Sequence, residues 1–436
     1  MAEAELPKAG FTDSLRILAL AGGPQLAKGV ILRREAVVGL LARTGAEAAG
    51  VRLLSAMRDK YGCGPLLLRA GSRRFAMVLD AEDAVRVLEA TPLPFDPATP
   101  EKRSALAHFE PRGSLVSSPA DRPARRAFSD RVLESGCPVH GLAGTFSDAI
   151  EEEIAPLAAT GTLAWPEFRK AWFRLARRVV FGASAAGDEQ VTDGLDRLRG
   201  AANWAFLKPK WRQLREAVLA AIQARLRRAD AGSLGALVSH YDYADAAAPD
   251  QVAQWLFAFD GAGIATFRAL ALLGTSAEAS TSYLRAAIEE SVRLWPTTPL
   301  ILRETRRDVD FPTGRMKAGT GVIIHLPYLH RDPNRLPFAD RFTPEIWLDG
   351  RARAAHLIPF SGGPGLCPGR DLVLLLGSLT LAALLRRAEL RPNRPLDPNA
   401  LPATFDHFSL TLHASPRRAE PVPGAPVHPA KPSSKG

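Results

Sequence analysis

The chain has 436 residues, of which 46% are hydrophobic, so it is long enough to bury one large core or two smaller ones. Its formal net charge of +10 comes from basic residues in short, scattered clusters, a pattern that argues against a nucleic-acid-binding protein. Three cysteines lie far apart without a Cys-x-x-Cys pair, which argues against a disulfide scaffold and a zinc ribbon and fits a reducing compartment.

The N-terminus, MAEAELPKAGFTDSL, is acidic and therefore does not resemble a secretory signal. The apolar stretch that follows it is broken by Gly, Pro and Lys, and no run approaches the roughly 20 apolar residues that a membrane span needs. We therefore predict a soluble, cytoplasmic protein.

Helical periodicity predominates along the chain, as in DAEDAVRVLEATP, FSDAIEEEIAPLAAT and LREAVLAAIQARLRRADAGS. GPLLLRAGSRRFAMVLD predicts a hairpin near the N-terminus, and GTGVIIHLP and HFSLTLHAS predict strands near the C-terminus. The sequence therefore predicts a mainly α protein with small peripheral β-sheets. We expect one domain over residues 1–417, with about 50 peripheral residues at its N-terminus, and a disordered Pro-rich tail over residues 418–436.

One predicted helix, PDQVAQWLFAFDGAGIATFRALALLGTS, opens with Asp250 as its N-cap and is apolar on most faces over residues 252–273. It should therefore be deeply buried. Gly261 and Gly263 lie in its middle, although each costs about 1 kcal/mol relative to Ala in a helix interior. Two interpretations remain open: a bare groove for a ligand, or close packing of a neighbouring helix.

A lone cysteine lies in a Gly- and Pro-rich loop, FSGGPGLCPG, directly before the apolar segment RDLVLLLGSLTLAALL. With Pro368 at the first helical position, Cys367 would be the N-cap, where free N–H groups and the helix dipole stabilise a thiolate. A nucleophile would need a base, but nothing marks His356, the only nearby histidine, as one. Zinc would need further ligands at short spacing, whereas a single thiolate suffices for haem. The loop alone leaves a haem ligand and a structural cysteine equally open.

The loop resembles the haem-binding loop of the cytochrome P-450 family, Phe-x-x-Gly-x-(Arg/His)-x-Cys-x-Gly. Phe360, Gly363, Cys367 and Gly369 match it, whereas Gly365 replaces the Arg or His. The resemblance implies that Cys367 is the metal ligand of haem b and that the three other matching residues form its binding loop. In the family the Arg or His commonly meets a haem propionate, so this chain must bind that carboxylate by other residues.

The segment AAIEESVRLWP contains Glu290 and Arg293, which match the family's Glu-x-x-Arg. FADRFTPEIW resembles the loop that supplies the third member of that set, here Arg341. The resemblance implies a buried structural triad, from which the loss of one partner should cost about 3–5 kcal/mol.

Two further arginines are implied as ligands of the haem propionates. Arg303, in LILRETRRD, matches the family's usual propionate-binding arginine. SPADRPARRAFSD resembles the family's His-x-x-x-Arg segment, with Arg125 at the propionate position and Asp121 in place of the His.

The central helix contains AGIAT, which resembles the family's (Ala/Gly)-Gly-x-(Asp/Glu)-Thr. The resemblance implies that Gly263 opens the dioxygen groove and that the Thr266 hydroxyl bonds to oxygen at the iron, while Ala265 replaces the proton-relaying acid. Protons would then come from ordered water or from the substrate, or the oxidant would be peroxide. Asp260 precedes Thr266 by six residues, which places it on a different helix face.

The resemblance implies a cytochrome P-450 fold, with haem between the long central helix and the helix after the cysteine loop. It also implies an oxidoreductase, a monooxygenase that inserts one atom of O2 into a small, largely apolar organic substrate. Ala262, Thr298 and Leu300 are the implied pocket residues.

Electrons would come from a separate protein such as a ferredoxin, because the chain has no flavin or dinucleotide fingerprint. Arg370, Arg386 and Arg387 are candidates for an acidic partner's docking face, or they simply cap and solvate helix ends. A peroxide-driven peroxygenase and a haem-binding sensor without turnover are the alternative functions.

Overall fold

A computed structural model describes residues 5–69, 71, 73–238, 245–274 and 279–417. The predicted disorder of residues 418–436 lies outside these residues. The described helices are α1 (Phe11–Arg16), α2 (Gly23–Ala27), α3 (Glu35–Thr44), α4 (Ala46–Tyr61), α5 (Ala81–Glu89), α6 (Pro100–Leu106), α7 (Arg122–Val132), α8 (Ala143–Glu153), α9 (Trp165–Phe181), α10 (Gln190–Ala202), α11 (Arg212–Leu226), α12 (Leu234–Val238), α13 (Ala248–Leu273), α14 (Thr281–Leu294), α15 (Leu326–Arg331), α16 (Arg351–Ala354) and α17 (Arg370–Leu385).

The described strands are short, and they form three small sheets. They are β1 (Leu66–Leu68), β2 (Phe75–Val78), β3 (Phe95–Asp96), β4 (Thr162–Ala164), β5 (Leu300–Thr305), β6 (Val309–Phe311), β7 (Gly314–Met316), β8 (Gly321–His325), β9 (Ala388–Pro392) and β10 (Thr411–Pro416). The largest sheet has the order β1-β2-β8-β5-β3, the second has the order β4-β10-β9, and β6 pairs with β7. Only β2 and β8 run parallel, with Phe75 opposite Gly321, and β5 runs antiparallel to β8 with Leu302 opposite Ile323.

The predicted mainly α architecture is confirmed, and so are the individual elements. The three periodic segments form α5, α8 and α11, and the predicted hairpin is the antiparallel pair β1 and β2. The two C-terminal strand segments form β8 and β10. These elements were predictable because each buries one face, which imposes a helical or alternating apolar pattern on the sequence.

Helix α13 is the centre of the larger hydrophobic core and packs against α9, α11, α14 and α17. It is long and apolar enough to cross a membrane, but 78% of its most apolar window is buried inside the protein. That burial is typical of the core helix of a globular protein. The second core lies between the five-stranded sheet and helices α4 and α5.

The start of α13 differs from the prediction. The helix begins at Ala248, with Ala247 as its N-cap, so Asp250 lies within its first turn. The buried Asp250 carboxylate accepts hydrogen bonds from the Arg112 backbone N–H at 2.8 Å and from its guanidinium at 3.0 Å. Asp250 therefore ties a preceding loop to α13.

Glu290 and Arg293 form a fully buried ion pair on α14. The Arg293 guanidinium donates to both carboxylate oxygens at 2.6 and 2.7 Å and to the backbone carbonyl of His330 at 2.8 Å. Glu290 also accepts bonds from the Thr343 backbone N–H and the Trp347 indole, each at 3.0 Å. The pair thereby fixes the loop that leads to the cysteine segment.

Arg341 does not join this pair through its side chain, in contrast to the implied triad. Its backbone carbonyl accepts a bond from Arg293 at 2.8 Å, while its exposed guanidinium donates to Asn399 at 3.2 Å. Glu290 already accepts bonds from Arg293, the Thr343 N–H and the Trp347 indole, so its carboxylate is satisfied without Arg341.

We expect Glu290→Gln to lower the free energy of unfolding by about 3–5 kcal/mol, because it leaves the Arg293 charge buried without a partner. Arg341→Ala is the matched control. It should change the free energy of unfolding by no more than about 0.5 kcal/mol, because only the backbone carbonyl of Arg341 bonds to the buried pair. Equilibrium unfolding in urea measures both values. Equal destabilisation by the two variants would contradict this assignment.

Candidate functional site

A chamber of about 280 Å³ separates α13 from the cysteine loop. Cys367 lines it on one side, and Ala258 and Ala262, one helical turn apart on α13, line it on the other. A second cavity of about 70 Å³ shares these residues and continues behind them towards Trp172. A thiol therefore faces two small alanine side chains across an open slot.

The cysteine loop is held in a tight conformation against α5. The Cys367 N–H donates to the Phe360 carbonyl at 3.0 Å, and the Leu366 N–H donates to the Gly363 carbonyl at 3.0 Å. Gly363 has a φ of +55°, and a Cβ there would lie 2.4 Å from the Leu88 carbonyl oxygen. Only glycine fits this close approach. By contrast, a Cβ at Gly369 would make an ordinary contact of 3.8 Å.

The predicted capping position of Cys367 differs from the structure. Helix α17 begins at Arg370 with Gly369 as its N-cap, so Cys367 lies two residues before the cap. Burial is the largest influence on the Cys367 thiol and raises its pKa, although the Gly369 N–H bond opposes this effect. Burial therefore favours the neutral thiol, whereas the predicted capping position would favour a thiolate.

In addition to Arg33, four cationic side chains line the chamber: Lys102, Arg122, Arg126 and Arg303. Arg122 donates to the Ser114 carbonyl at 3.2 Å, and both Arg303 and Lys102 donate to the Leu302 carbonyl at 2.9 and 3.0 Å. Within the described ranges, only Arg126 among the four pairs with a carboxylate, that of Asp130 at 2.7 Å.

Burial and mutual repulsion lower the pKa values of Arg303 and Lys102. Burial, together with the charge of Arg122, lowers the pKa of Arg303 to about 10. Desolvation and the charges of Arg303 and Arg122 lower the pKa of Lys102 well below its usual value. Asp96 is the carboxylate that offsets part of this repulsion. The wall is therefore suited to a ligand that brings carboxylates.

Gly365, which stands where the family motif has Arg or His, makes room for Arg303. A Cβ at Gly365 would lie 2.7 Å from the Arg303 Nη2 atom. The Arg303 guanidinium is fixed there by a 3.0 Å bond from its Nε to the Thr91 hydroxyl. A cation from β5 thus occupies the space beside the cysteine loop that a side chain at position 365 would take.

Arg125 does not line the chamber, although the sequence placed it at a propionate. It donates to the Ser117 hydroxyl at 2.8 Å and lies 3.6 Å from Asp121. Its neighbours Arg122 and Arg126, one turn apart on α7, face the chamber instead, because successive helical residues differ by about 100°. The i, i+4 spacing of Arg122 and Arg126 indicates that they share one helix face, but the resemblance directed attention to Arg125 instead.

Gly263 lies against α9 rather than against the chamber. A Cβ at Gly263 would lie 2.8 Å from the Trp172 ring, whose Nε1 donates to the Phe259 carbonyl at 2.7 Å. The structure therefore assigns Gly263 to close helix packing, the second of the two interpretations. Gly261, by contrast, lines the chamber.

Thr266 is not brought together with Cys367. Its fully buried hydroxyl donates to the Ala262 carbonyl at 2.8 Å and lies where a Cβ at Gly377 would come within 2.9 Å. Position 377 lies two turns into α17, about 10 Å from its start. Among the described residues, those of this motif that line the chamber are Ala262, Ile264 and Ala265.

Asp260 is an acidic residue of the chamber wall that the sequence analysis set aside. It pairs with Arg199, which is 1% exposed, at 2.9 Å and lies 3.7 Å from Arg169. Arg169 and Arg199 both also pair with Asp196, so the network runs from half-exposed Arg169 to the chamber. The sequence analysis excluded Asp260 from the site because it lies on a different helix face from Thr266, which was expected to face the chamber.

The rest of the wall is largely apolar. The predicted pocket residues Ala262, Thr298 and Leu300 all line the chamber. Val30 and Ile31 line it too, so a segment before α3 that the sequence analysis regarded as peripheral contributes to the site.

The arginines considered for partner docking are engaged in ion pairs. Arg370 pairs with Glu289 at 2.7 Å, and both Arg386 and Arg387 pair with Glu151. This part of the surface is therefore of mixed charge rather than a basic face.

Comparison with protein families adds an independent finding: residues 276–418 match the model described as cytochrome P-450. The match includes Glu290, Arg293, Arg303 and Cys367 but not α13. Over 144 residues the chain is 38% identical to drimenol monooxygenase of Persicaria hydropiper, covering 32% of this chain and 28% of that protein. Over 116 residues it is 34% identical to cyclooctat-9-en-7-ol 5-monooxygenase of Streptomyces melanosporofaciens, covering 26% and 25%. The matched segment thus spans about a quarter of these relatives' lengths.

Solved structures resemble the chain over most of its length. CYP175A1 of Thermus thermophilus has a TM-score of 0.64 at 21% identity, covering 87% of this chain and 98% of that one. The retinoic acid-bound cyanobacterial CYP120A1 has a TM-score of 0.66 at 18% identity, covering 83% and 94%. At these identities the likeness concerns the fold.

We expect the Cys367 thiol of ligand-free protein to react with iodoacetamide only at a pH above the usual range for cysteine. A raised pKa keeps the unreactive neutral form below it. Mass spectrometry of a variant lacking the exposed Cys63 and Cys137 follows this reaction alone. A rate that has already levelled off at neutral pH would contradict the neutral-thiol assignment.

Proposed function

We propose that the chain is a haem-thiolate monooxygenase of the cytochrome P-450 family, because residues 276–418 match that family's model and the fold resembles solved cytochrome P-450 structures. It inserts one atom of O2 into a small, largely apolar organic substrate, with electrons from a separate protein such as a ferredoxin. The observation that carries the proposal is that the Cys367 thiol and a group of cations without carboxylate partners line the same chamber.

The chemistry of this donor set fits haem b, which combines an iron that binds thiolate with two propionate carboxylates. Cys367 Sγ would bind the iron, and Arg303, Arg122 and Lys102 would bind the propionates. Arg303 takes over the role of the missing Arg or His, because it occupies the space beside Gly365. Arg125 is not needed for this role.

When bound, the haem supplies an iron that takes up and activates dioxygen, and its thiolate ligand favours cleavage of the O–O bond. Cys367 releases its proton on binding, and the Gly369 N–H stabilises the negative sulfur. Arg126 supports the loop by donating to the Leu366 carbonyl at 2.8 Å. On the opposite wall, the methyl groups of Ala258 and Ala262 leave space and exclude water.

We assign proton delivery to the carboxylate of Asp260 rather than to Thr266. Asp260 lines the chamber, whereas the Thr266 hydroxyl is bonded within its own helix. The ion pair with Arg199 holds the Asp260 carboxylate at the chamber wall, where its oxygen atoms would exchange protons with water in the chamber.

Apolar contacts bind the substrate. Leu300, Thr298 and Ile31 line the chamber, and Phe257 adds an aromatic wall. Such a surface favours a molecule held mainly by burial of its hydrocarbon skeleton. We also propose that the protein is soluble and cytoplasmic, with α13 as a core helix.

A peroxide-driven peroxygenase is the second candidate. It is favoured by the motif residues that line the chamber, Ala262, Ile264 and Ala265, because none of them carries a hydroxyl or carboxyl group. Product formed with hydrogen peroxide alone, at a rate matching that with NADPH and redox proteins, would establish it in place of the monooxygenase.

We expect the reduced protein with carbon monoxide to give the red-shifted Soret band of haem-thiolate ligation. Cys367→Ala should abolish the band, because no other thiol lines the chamber in the described residues. Cys137→Ala, which removes an exposed thiol, should retain it. Folded wild-type protein without the band would refute the proposed function.

We expect Asp260→Asn to increase, several-fold, the fraction of NADPH electrons lost as hydrogen peroxide, because proton delivery becomes limiting. Thr266→Ala should leave this fraction within about twofold of wild type. The assay uses a compound that shifts the haem spin state, and the carbon monoxide spectrum controls for intact haem. The reverse order of effects would return the role to Thr266.

A further inference from the structure

A small closed cavity lies behind the chamber, between α13, the N-terminal helices and the loop after β9. It has a volume of about 20 Å³. Three cationic side chains line it, those of Lys28, Arg33 and Arg268, together with one carboxylate, that of Glu47. The wall thus carries a formal excess of two positive charges.

The single carboxylate is fully used by its neighbours. Glu47 pairs with Lys28 through one oxygen, which also accepts a 2.8 Å bond from Gln25, and it accepts a bond from the Thr404 hydroxyl through the other. Lys28 and Glu47 are 8% and 5% exposed, so this pair is cut off from solvent. Glu47 therefore forms no direct ion pair with either arginine, although its charge offsets part of their repulsion.

Arg268, which is 7% exposed, is bonded only to neutral groups. Its guanidinium donates to the carbonyls of Trp295 and Phe405 at 3.1 Å each, and its Nε has no partner. Arg33 likewise donates to the carbonyls of Gly29 and Thr297. Among the described residues, neither arginine has a carboxylate within 4 Å, and the carboxylate with the largest influence on the pKa of both is Glu47, followed by Asp406 for Arg268 and Asp260 for Arg33.

Mutual repulsion adds to the cost of burying these groups. Burial, followed by the charge of Arg33, lowers the pKa of Arg268 to about 9. Burial also lowers the pKa of Lys28 to about 8, with Glu47 opposing and the two arginines reinforcing the shift. A water molecule would fit the volume but would bring no charge.

We propose that this cavity binds one small monovalent anion of the size of chloride. The anion supplies one of the two negative charges that the cavity wall lacks and accepts a hydrogen bond from the Arg268 Nε. Because Arg33, Ile264 and Thr297 line both this cavity and the chamber, the bound anion holds the N-terminal segment against the chamber wall. The inference does not depend on the proposed function.

Crystals soaked in sodium bromide test the site directly. Anomalous scattering at the bromine edge should place a bromide between Lys28, Arg33 and Arg268. An ordered water only, or no peak at this position, would overturn the proposal.

Thermal unfolding tests it in solution. At constant ionic strength, replacing gluconate, which is too large for the cavity, by chloride should raise the midpoint by about 1–3 °C per tenfold increase in chloride. Arg268→Met should lose this dependence, whereas Arg52→Met, at an exposed position on α4, should retain it.

Glu47→Gln supplies a test that does not depend on Arg268→Met folding. Removal of the carboxylate increases the excess of positive charge, so the chloride dependence should become steeper. A midpoint that is insensitive to chloride in the wild type and in Glu47→Gln would refute anion binding.

Discussion

The charge of a buried cation must be balanced, and the structure solves this requirement in two ways. On α14 the balancing charge comes from the protein itself: Glu290 pairs with Arg293, and the remaining N–H groups of the Arg293 guanidinium donate to neighbouring backbone carbonyls. On the chamber wall the balance is left incomplete, because Arg303 and Lys102 repel one another and meet only carbonyl and hydroxyl oxygen. The first arrangement stabilises the fold, and the second prepares it for a ligand that carries carboxylates.

The cysteine loop, which also lines the chamber, poses the corresponding problem for a negative charge, that of the Cys367 thiolate. Burial raises the pKa of Cys367, so a metal bound to the sulfur would offset the cost of forming a thiolate there. The glycines bring this thiol and Arg303 close together. Gly363 lets the loop approach α5, and Gly365 leaves the space that the Arg303 guanidinium occupies. The glycine that departs from the family pattern thus leaves room for a cation from β5.

The sequence predicted what depends on strong local patterns. The burial of α13 and the hairpin followed from periodicity, and the cysteine loop and Glu290–Arg293 were found by motif. What the sequence did not predict depends on the helix face on which a residue lies and on contacts between residues far apart in the chain. Arg125 and Arg126 are adjacent, yet about 100° of rotation decides which one faces the chamber. Trp172, 91 residues away in sequence, takes the space at Gly263, and no motif on α13 contains that information. The same applies to the pairing of Asp260 with Arg199, which joins two helices that lie far apart in the chain.

The central claim is that the chamber cations and Cys367 together select a haem with free carboxylates. The most direct measurement titrates ligand-free protein with haem b and with its dimethyl ester, which keeps the iron and the ring but carries no negative charge. The account predicts that the ester binds at least tenfold more weakly, and that Arg303→Ala removes much of this difference. Equal affinity for haem and its dimethyl ester in the wild-type protein would contradict it.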